Sequence, residues 1–195
     1  MEWRNVPIPK KMKALARDRR GYPIPFIVMR DTDGCPHFTI NNSSLQRRCL
    51  KEKRCPICGS TLGRELWFAG GPLSAFHEHG CYMDTAMHYE CMEYALQVCP
   101  YLAVPRYLKR IDAATLDPAK CPGLPVFLDE TQDPDRPSVF VAVMSRSQIL
   151  NEHGYVKPLR PYAAVEYWRD GMKLADEDGS TLARQALQKA EAAAV

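Results

Sequence analysis

Cys55-Pro56-Ile57-Cys58-Gly59 sets two thiols with two residues between them, and His88-Tyr89-Glu90-Cys91 sets an imidazole and a thiol at the same spacing. Two such pairs supply four donors from two short local turns, which is the donor set that tetrahedral zinc takes. Gly59 can adopt the positive φ that lets backbone amides face the sulfurs. The paired spacing is specific, whereas the 29 residues between Cys58 and His88 form a permissive gap. A site filled by four protein ligands has no open position, so it stabilises a fold and does no chemistry by itself. Cys55, Cys58, His88 and Cys91 therefore read as ligands of one structural Zn2+ ion.

Two other groups of residues carry chemistry in principle. In Phe76-His77-Glu78-His79-Gly80-Cys81 the alternating His77, His79 and Cys81 would share one face of a strand and offer a second metal site. Without a fourth ligand, a solvated loop is the preferred reading. Arg47, Arg48, Lys51, Lys53 and Arg54 form a basic run just before the first cysteine pair, and phosphate contacts need only such mobile positive charge. Lys10, Lys11, Lys13, Arg17, Arg19 and Arg20 extend it.

The elements that position these groups follow from local pattern. The N-terminal prolines leave room for one short helix, over Lys10 to Arg17. A hairpin is expected from a strand at Phe26 to Arg30, a turn at Asp31-Thr32-Asp33-Gly34 and a return at His37 to Ile40. Ser43 or Ser44 can cap a helix through Leu45, Cys49 and Leu50 whose basic face points outward. Leu62 to Ala69 and the chain after Gly70-Gly71-Pro72 read as a hairpin linking the ligand pairs, and Met83 to Val98 as a helix capped by Asp84. Knuckle, hairpin and ligand-bearing helix together make a treble-clef-like arrangement. Residues 112 to 138, rich in Pro and Asp, read as a surface excursion. Val139 to Met144 and Ala163 to Trp168 read as strands, and Ser180 as the cap of a last helix with an apolar stripe at Leu182, Ala183, Ala186, Leu187 and Ala190. Packing on the domain is the default use of that stripe, and homodimerisation the alternative. Cys35, Cys49, Cys99 and Cys121 read as small buried hydrophobes.

The expected fold class is thus α+β: a small zinc-stabilised core over residues 1–107 with a basic N-terminal part, and a strand-helix extension over 108–195 packed on it. The chain has 195 residues, 46% of them hydrophobic, enough for a substantial core. No apolar run reaches membrane-spanning length. The start, Met1-Glu2-Trp3-Arg4-Asn5, lacks the apolar core of a secretion signal, so the expected compartment is the cytoplasm, where paired cysteines bind metal more often than each other. Net charge is only +3, but residues 1–54 hold 13 Lys/Arg against 5 Asp/Glu and residues 55–103 hold 1 against 5. The basic surplus lies wholly before the first cysteine pair.

Several runs resemble those of a family of zinc-knuckle proteins encoded by bacteria and their phages. They are Arg20 to Phe26, Gly34 to Phe38, Lys53 to Gly59 with Leu62-Gly63, Gly71-Pro72, Met87 to Cys91, Tyr94-Ala95 and Cys99 to Leu102. The resemblance covers residues 14–107 and, weakly, 166–171; the chain departs from it at Pro56, where an aromatic is expected, and at His77 to Cys81. It implies a knuckle made by Cys55, Cys58, His88 and Cys91 and an origin in a phage or mobile element, and it implies no activity.

Three functions follow as expectations. The first is a non-catalytic zinc protein with a macromolecular partner, for instance an inhibitor of a host defence system. The second is a nucleic-acid-binding protein using the basic N-terminal surface. The third is a ββα-metal (HNH-like) nuclease with His77 or His79 as base and Glu78 or Asp84 holding a divalent ion. Against the last, His88 is committed to zinc, and no further His or Asn lies between Tyr89 and Pro100.

Overall fold

The computed structural model describes residues 3–104, 136–151 and 154–193. In chain order the elements are β1 (Val28–Arg30), β2 (Pro36–Asn41), α1 (Ser43–Glu52), β3 (Leu66–Gly70), α2 (Pro72–Phe76), α3 (Tyr89–Val98), α4 (Pro100–Ala103), β4 (Phe140–Ser145), β5 (Gln148–Leu150), β6 (Val156–Pro158), β7 (Ala164–Arg169), β8 (Met172–Lys173) and α5 (Asp176–Ala193). The class is mixed α+β.

Val139 to Met144 carries no polar side chain, and a strand apolar at every position needs cover on both faces. It lies second in a four-stranded antiparallel sheet ordered β3-β4-β7-β8, with Phe68 opposite Val143 and Val143 opposite Val165. Side chains alternate between two apolar clusters. Trp67, Phe140, Ala142 and Trp168 face Cys55, Met87, Cys91, Met92 and Leu96, while Phe68, Val141, Val143 and Tyr167 face Ala75, Tyr82, Leu182 and Ala183. Each fully buried Val or Phe there contributes about 1.5–3 kcal/mol relative to exposure. One side of the sheet thus carries the cysteine cluster and α3, and the other carries α2 and α5.

β3 comes from the first half of the chain and β4 from the second, so one sheet joins both. The expected boundary near residue 107 and most of the expected Pro/Asp-rich excursion, with Cys121, lie outside the described residues. Arg136, where description resumes, ties back to this sheet side. Its guanidinium donates to the carbonyls of Tyr101 and Leu102 at 2.8 and 2.9 Å and pairs with Asp170 at 3.1 Å.

Local chemistry explains both the agreements and the corrections. Asp170 and Gly171 have φ of 52° and 80°, which makes the two-residue β7–β8 turn that the Asp-Gly pair predicts. The β1–β2 hairpin forms, with Asp31 Oδ1 accepting from the amides of Asp33 and Cys35. The helix expected over Lys10 to Arg17 is a single 3-10 turn, Lys10–Met12. The chain beyond it pairs instead with residues 22–24, through Asp18 N to Tyr22 O and Ile24 N to Ala16 O. Asn42, rather than a serine, caps α1, accepting from the amides of Ser44 and Leu45.

The hairpin expected between the ligand pairs shrinks to one bridge, Trp67 with Met87, because β3 spends its other edge on β4 and Pro72 starts a helix at once. His77 to Cys81 is a turn after α2, not a strand. Cys35 is exposed, Cys49 buried and Cys99 partly buried. Among the described residues no helix is long and apolar enough to cross a membrane.

α5 begins at Asp176, four residues before the expected cap, because Asp176, Glu177 and Asp178 suit a helix N-terminus. Ser180 lies inside it and donates back to the Glu177 carbonyl at 3.0 Å. The apolar stripe is used on the sheet at its N-terminal end, where Ala183 is 2% exposed. Gly179 makes that approach: a Cβ there would stand 2.2 Å from Tyr167 Cβ. Gly179→Ala is therefore expected to destabilise by about 1–3 kcal/mol despite alanine's better helix propensity. Thermal denaturation checks this, and an unchanged or raised melting temperature would contradict the close packing.

Candidate metal centre

The knuckle is built by backbone bonds that the Cys-x-x-Cys-Gly run makes with itself and its neighbours. Gly59 N donates to Cys55 O at 2.8 Å, and Cys55 N donates to Ser60 O at 2.9 Å, so the two thiols emerge from one tight turn. Gly59 takes a φ of 74°, and a Cβ on it would lie 2.9 Å from the Phe26 ring. Both facts demand glycine there. Phe26 and Ile27 donate to the carbonyls of Ile57 and Pro56 at 2.8 and 3.0 Å, laying the β1 approach along the knuckle. Arg54 donates to the Gly59 carbonyl at 2.9 Å and closes the turn from the α1 side.

The second pair comes from the start of α3. His88 is the N-cap residue, not a residue within a helix begun at Asp84, and Cys91 stands in the first turn. Asp84 instead accepts from Asn41 Nδ2 at 2.7 Å. The Trp67–Met87 bridge, with N–O distances of 3.2 and 2.8 Å, fixes the chain just before His88 to the sheet edge. Tyr89 packs on Trp67 at 4.8 Å, and its hydroxyl shares its one hydrogen between the carboxylates of Glu93 and Glu166, at 3.3 and 3.4 Å. Burial and those carboxylates push its phenol up to about 12, so it serves as a neutral donor that ties α3 to β7.

The donor atoms of Cys55, Cys58, His88 and Cys91 all lie within 4.8 Å of one another. Cys58 Sγ and His88 Nδ1 are 3.4 Å apart. Tetrahedral zinc with ordinary bond lengths separates a sulfur and a nitrogen ligand by about 3.5 Å. His88 Nε2 stands 3.0 Å from the Thr61 carbonyl, which can only accept, so Nε2 carries the hydrogen and Nδ1 keeps its lone pair facing the sulfurs. Cys55 and Cys91 are fully buried and His88 is 8% exposed.

The electrostatics of the thiols fit the same occupant. Hydrogen bonds from Cys55 and Cys91 hold Cys58 far below the ordinary thiol value. Cys55 is pushed up to about 11, first by its contact with Cys58, and Cys91 is pushed far up by both. Three sulfurs so close cannot all ionise against one another, and a divalent cation removes the conflict. The cluster can therefore bind a metal ion, and Cys55, Cys58, Cys91 and Nδ1 of His88 are the groups that would hold it. Beside the cluster Lys11 pairs with Glu90 at 2.7 Å, and that hydrogen bond, ahead of the nearby sulfurs, raises the lysine's pKa.

Among the described residues this is the one group of three or more Cys, His, Asp or Glu side chains placed to hold an ion. His77, His79 and Cys81 do not form another. His77 Nδ1 accepts from the His79 amide at 3.2 Å, His79 Nε2 lies 3.2 Å from Glu78, and Cys81 is buried at 2% exposure. Lys157 and Arg160 donate to carbonyls of Glu78, Ala75 and His77, so the turn is held as structure. Of the basic run, Arg47, Lys51 and Lys53 are exposed, while Arg48 and Arg54 both pair with Glu52. The Thr61 carbonyl and the Arg54 clamp went unforeseen. The former is backbone and carries no sequence signal, and the latter had Arg54's position beside the knuckle as its only hint.

Two outcomes test the centre. Metal and protons compete for the sulfurs, so adding Zn2+ to apo-protein near neutral pH should release protons, Cys55 and Cys91 being the thiols held above their ordinary value, and occupancy should fall as pH falls. A pH-indicator titration showing no release would contradict it. Cys91→Ser should cost several kcal/mol of stability, because binding free energy at such a site is folding free energy. Strong chelation of the parent protein should lower its melting temperature likewise, and indifference to chelator would contradict the assignment. Compared with known proteins, the chain matches no family model, no curated protein and no solved structure.

Proposed function

We propose that this chain is a non-catalytic, structural-zinc protein that acts by binding a macromolecular partner. The supporting observation is the completeness of the ligand set: three thiols and an imidazole nitrogen close together, largely buried, leaving no position for substrate or water. The knuckle followed by a helix that brings the second ligand pair is treble-clef-like in plan, although the hairpin between them is a single bridge. In this reading the ion is Zn2+, which joins the basic N-terminal part to the sheet, and partner recognition falls to the surface around it. The resemblance to phage and bacterial zinc-knuckle proteins supports an origin in a mobile element. A component of a host defence system is the partner that such an origin favours.

The basic surface supports a second reading, binding to nucleic acid. Arg47, Lys51 and Lys53 are exposed and make no ion pair among the described residues. No such observation favours the nuclease, whose expected base lies in a turn where no metal-holding group forms.

The non-catalytic reading is checked by incubating zinc-loaded protein and a His77→Ala/His79→Ala variant with supercoiled plasmid and Mg2+ or Mn2+. Intact plasmid in both is expected. Nicking by the parent that disappears in the variant would overturn the reading in favour of the nuclease.

A further inference from the structure

Between Trp3 and Phe38 three cation–π contacts join end to end. Arg4 sits 4.7 Å over the Trp3 ring, and Arg20 sits 4.9 Å over Tyr22 and 5.5 Å over Phe38. Trp3 and Tyr22 stack with centroids 3.9 Å apart and planes 21° from parallel. The order Arg4, Trp3, Tyr22, Arg20, Phe38 is thus a continuous stack of cations and rings.

Arg20 is fixed in it from behind. The Asp18 side chain, 6% exposed, accepts from Arg20 Nε at 2.7 Å and from the amides of Arg20 and Tyr22 at 2.9 Å. Gly21, at a φ of 96°, closes the turn beneath Trp3. Only Nε of the guanidinium is used. Its two terminal nitrogens have no hydrogen-bond partner among the described residues, and the side chain is 50% exposed. An arginine held this way has given up its rotamer freedom before a ligand arrives and still offers a planar fork.

Phe38 owes its place to a bulge. Val28 pairs with Asn41 and Met29 with His37, so residues 38–40 of β2 have no partner on β1. Ile40 turns into the core at 4% exposure while Phe38 is left 38% exposed. Residues 3–30 hold eight Lys/Arg against Asp18 alone, and Lys13 and Arg19 are exposed without an ion pair among the described residues. A ring face and a pre-set guanidinium fork coincide at Phe38 and Arg20, in a part of the chain that also carries exposed cations.

We propose that this stack binds single-stranded nucleic acid. Bases would lie on Phe38 and on the Trp3 face from which exposed Arg4 can swing away, while Arg20 forks a phosphate and Lys13 and Arg19 neutralise its neighbours. A duplex hides its base faces, and the carboxylates of an acidic peptide bring charge without a ring to lay on Phe38. A single strand supplies both the charge and the planes. The proposal rests on the nucleic-acid reading above and gives it a location distinct from the α1 cations.

The test is fluorescence anisotropy of zinc-loaded full chain with a labelled mixed-sequence single strand and the matching duplex at about 50 and 200 mM salt. The single strand should bind more tightly than the duplex, weaken with salt and quench tryptophan emission. Phe38→Ala should weaken it about 5- to 100-fold, Phe38→Tyr should restore it, and Arg20→Lys should weaken it through loss of the fork. Because Phe38 is exposed, unchanged zinc content and melting temperature are expected for its variants. Single-strand binding that ignores Phe38→Ala but is lost in Arg47→Ala/Lys51→Ala would overturn the stack and leave the broader nucleic-acid reading standing. Duplex preference would also overturn the stack, and absence of binding to either form would overturn both.

Discussion

Three thiols crowd against one imidazole nitrogen, a donor set that a divalent cation would satisfy together, and much of the fold converges on that cluster. Hydrogen bonds from Cys55 and Cys91 hold the Cys58 thiol far below its ordinary value, and the same contacts push Cys91 far above it. A dication between them replaces two weak S–H contacts by four bonds. Cys55 and Cys58 belong to a turn anchored to α1 and the β1 approach, and His88 and Cys91 belong to the start of α3. An ion held there would tie together segments that are distant in sequence. The His88–Thr61 hydrogen bond shows that this tie is prepared, since it turns the imidazole lone pair inward.

The sheet is the second partner in that arrangement. β4 is apolar on both faces, so it needs cover twice, and the cysteine cluster with α3 supplies it on one side while α2 and α5 supply it on the other. Cys55 and Cys91 belong to the same buried cluster as Trp67, Phe140 and Trp168. Because these sulfurs belong to the apolar cluster on that face, metal affinity would be linked to the packing of the sheet. On the outside, the turn Asp18–Tyr22 and the bulge of β2 present Arg20 and Phe38 beside Tyr22, which packs against the core cluster.

The cluster was legible because its signal is local. Two short spacings within turns specify four ligands, and Gly59 marks the backbone that one pair requires. β4 and the Asp-Gly turn after β7 were legible for the same reason, each being decided by its own residues. What failed depended on partners far along the chain. β3 was expected to pair with its neighbour, but pairs with β4 some seventy residues on. The helix expected at Lys10 to Arg17 lost to pairing with Pro23 and Ile24. The start of α5 was missed because Gly179, a poor helix former alone, is what lets that helix meet Tyr167. The loop reading preferred for His77, His79 and Cys81 over a metal-bearing strand agrees with the turn that follows the helix begun at Pro72, whose end Arg160 caps.

The stack at Trp3, Tyr22, Arg20 and Phe38 was likewise hidden, since only a turn and a bulge bring residues spread over 36 positions into one line. It lies in the same basic N-terminal part of the chain that carries the charge surplus. All of this rests on the ion being there with the ligands assigned to it. X-ray absorption at the zinc edge of the purified protein tests that most directly. The account predicts three sulfurs at about 2.3 Å and one nitrogen at about 2.0 Å with no oxygen. An oxygen ligand, fewer than three sulfurs, or no zinc at all would contradict it.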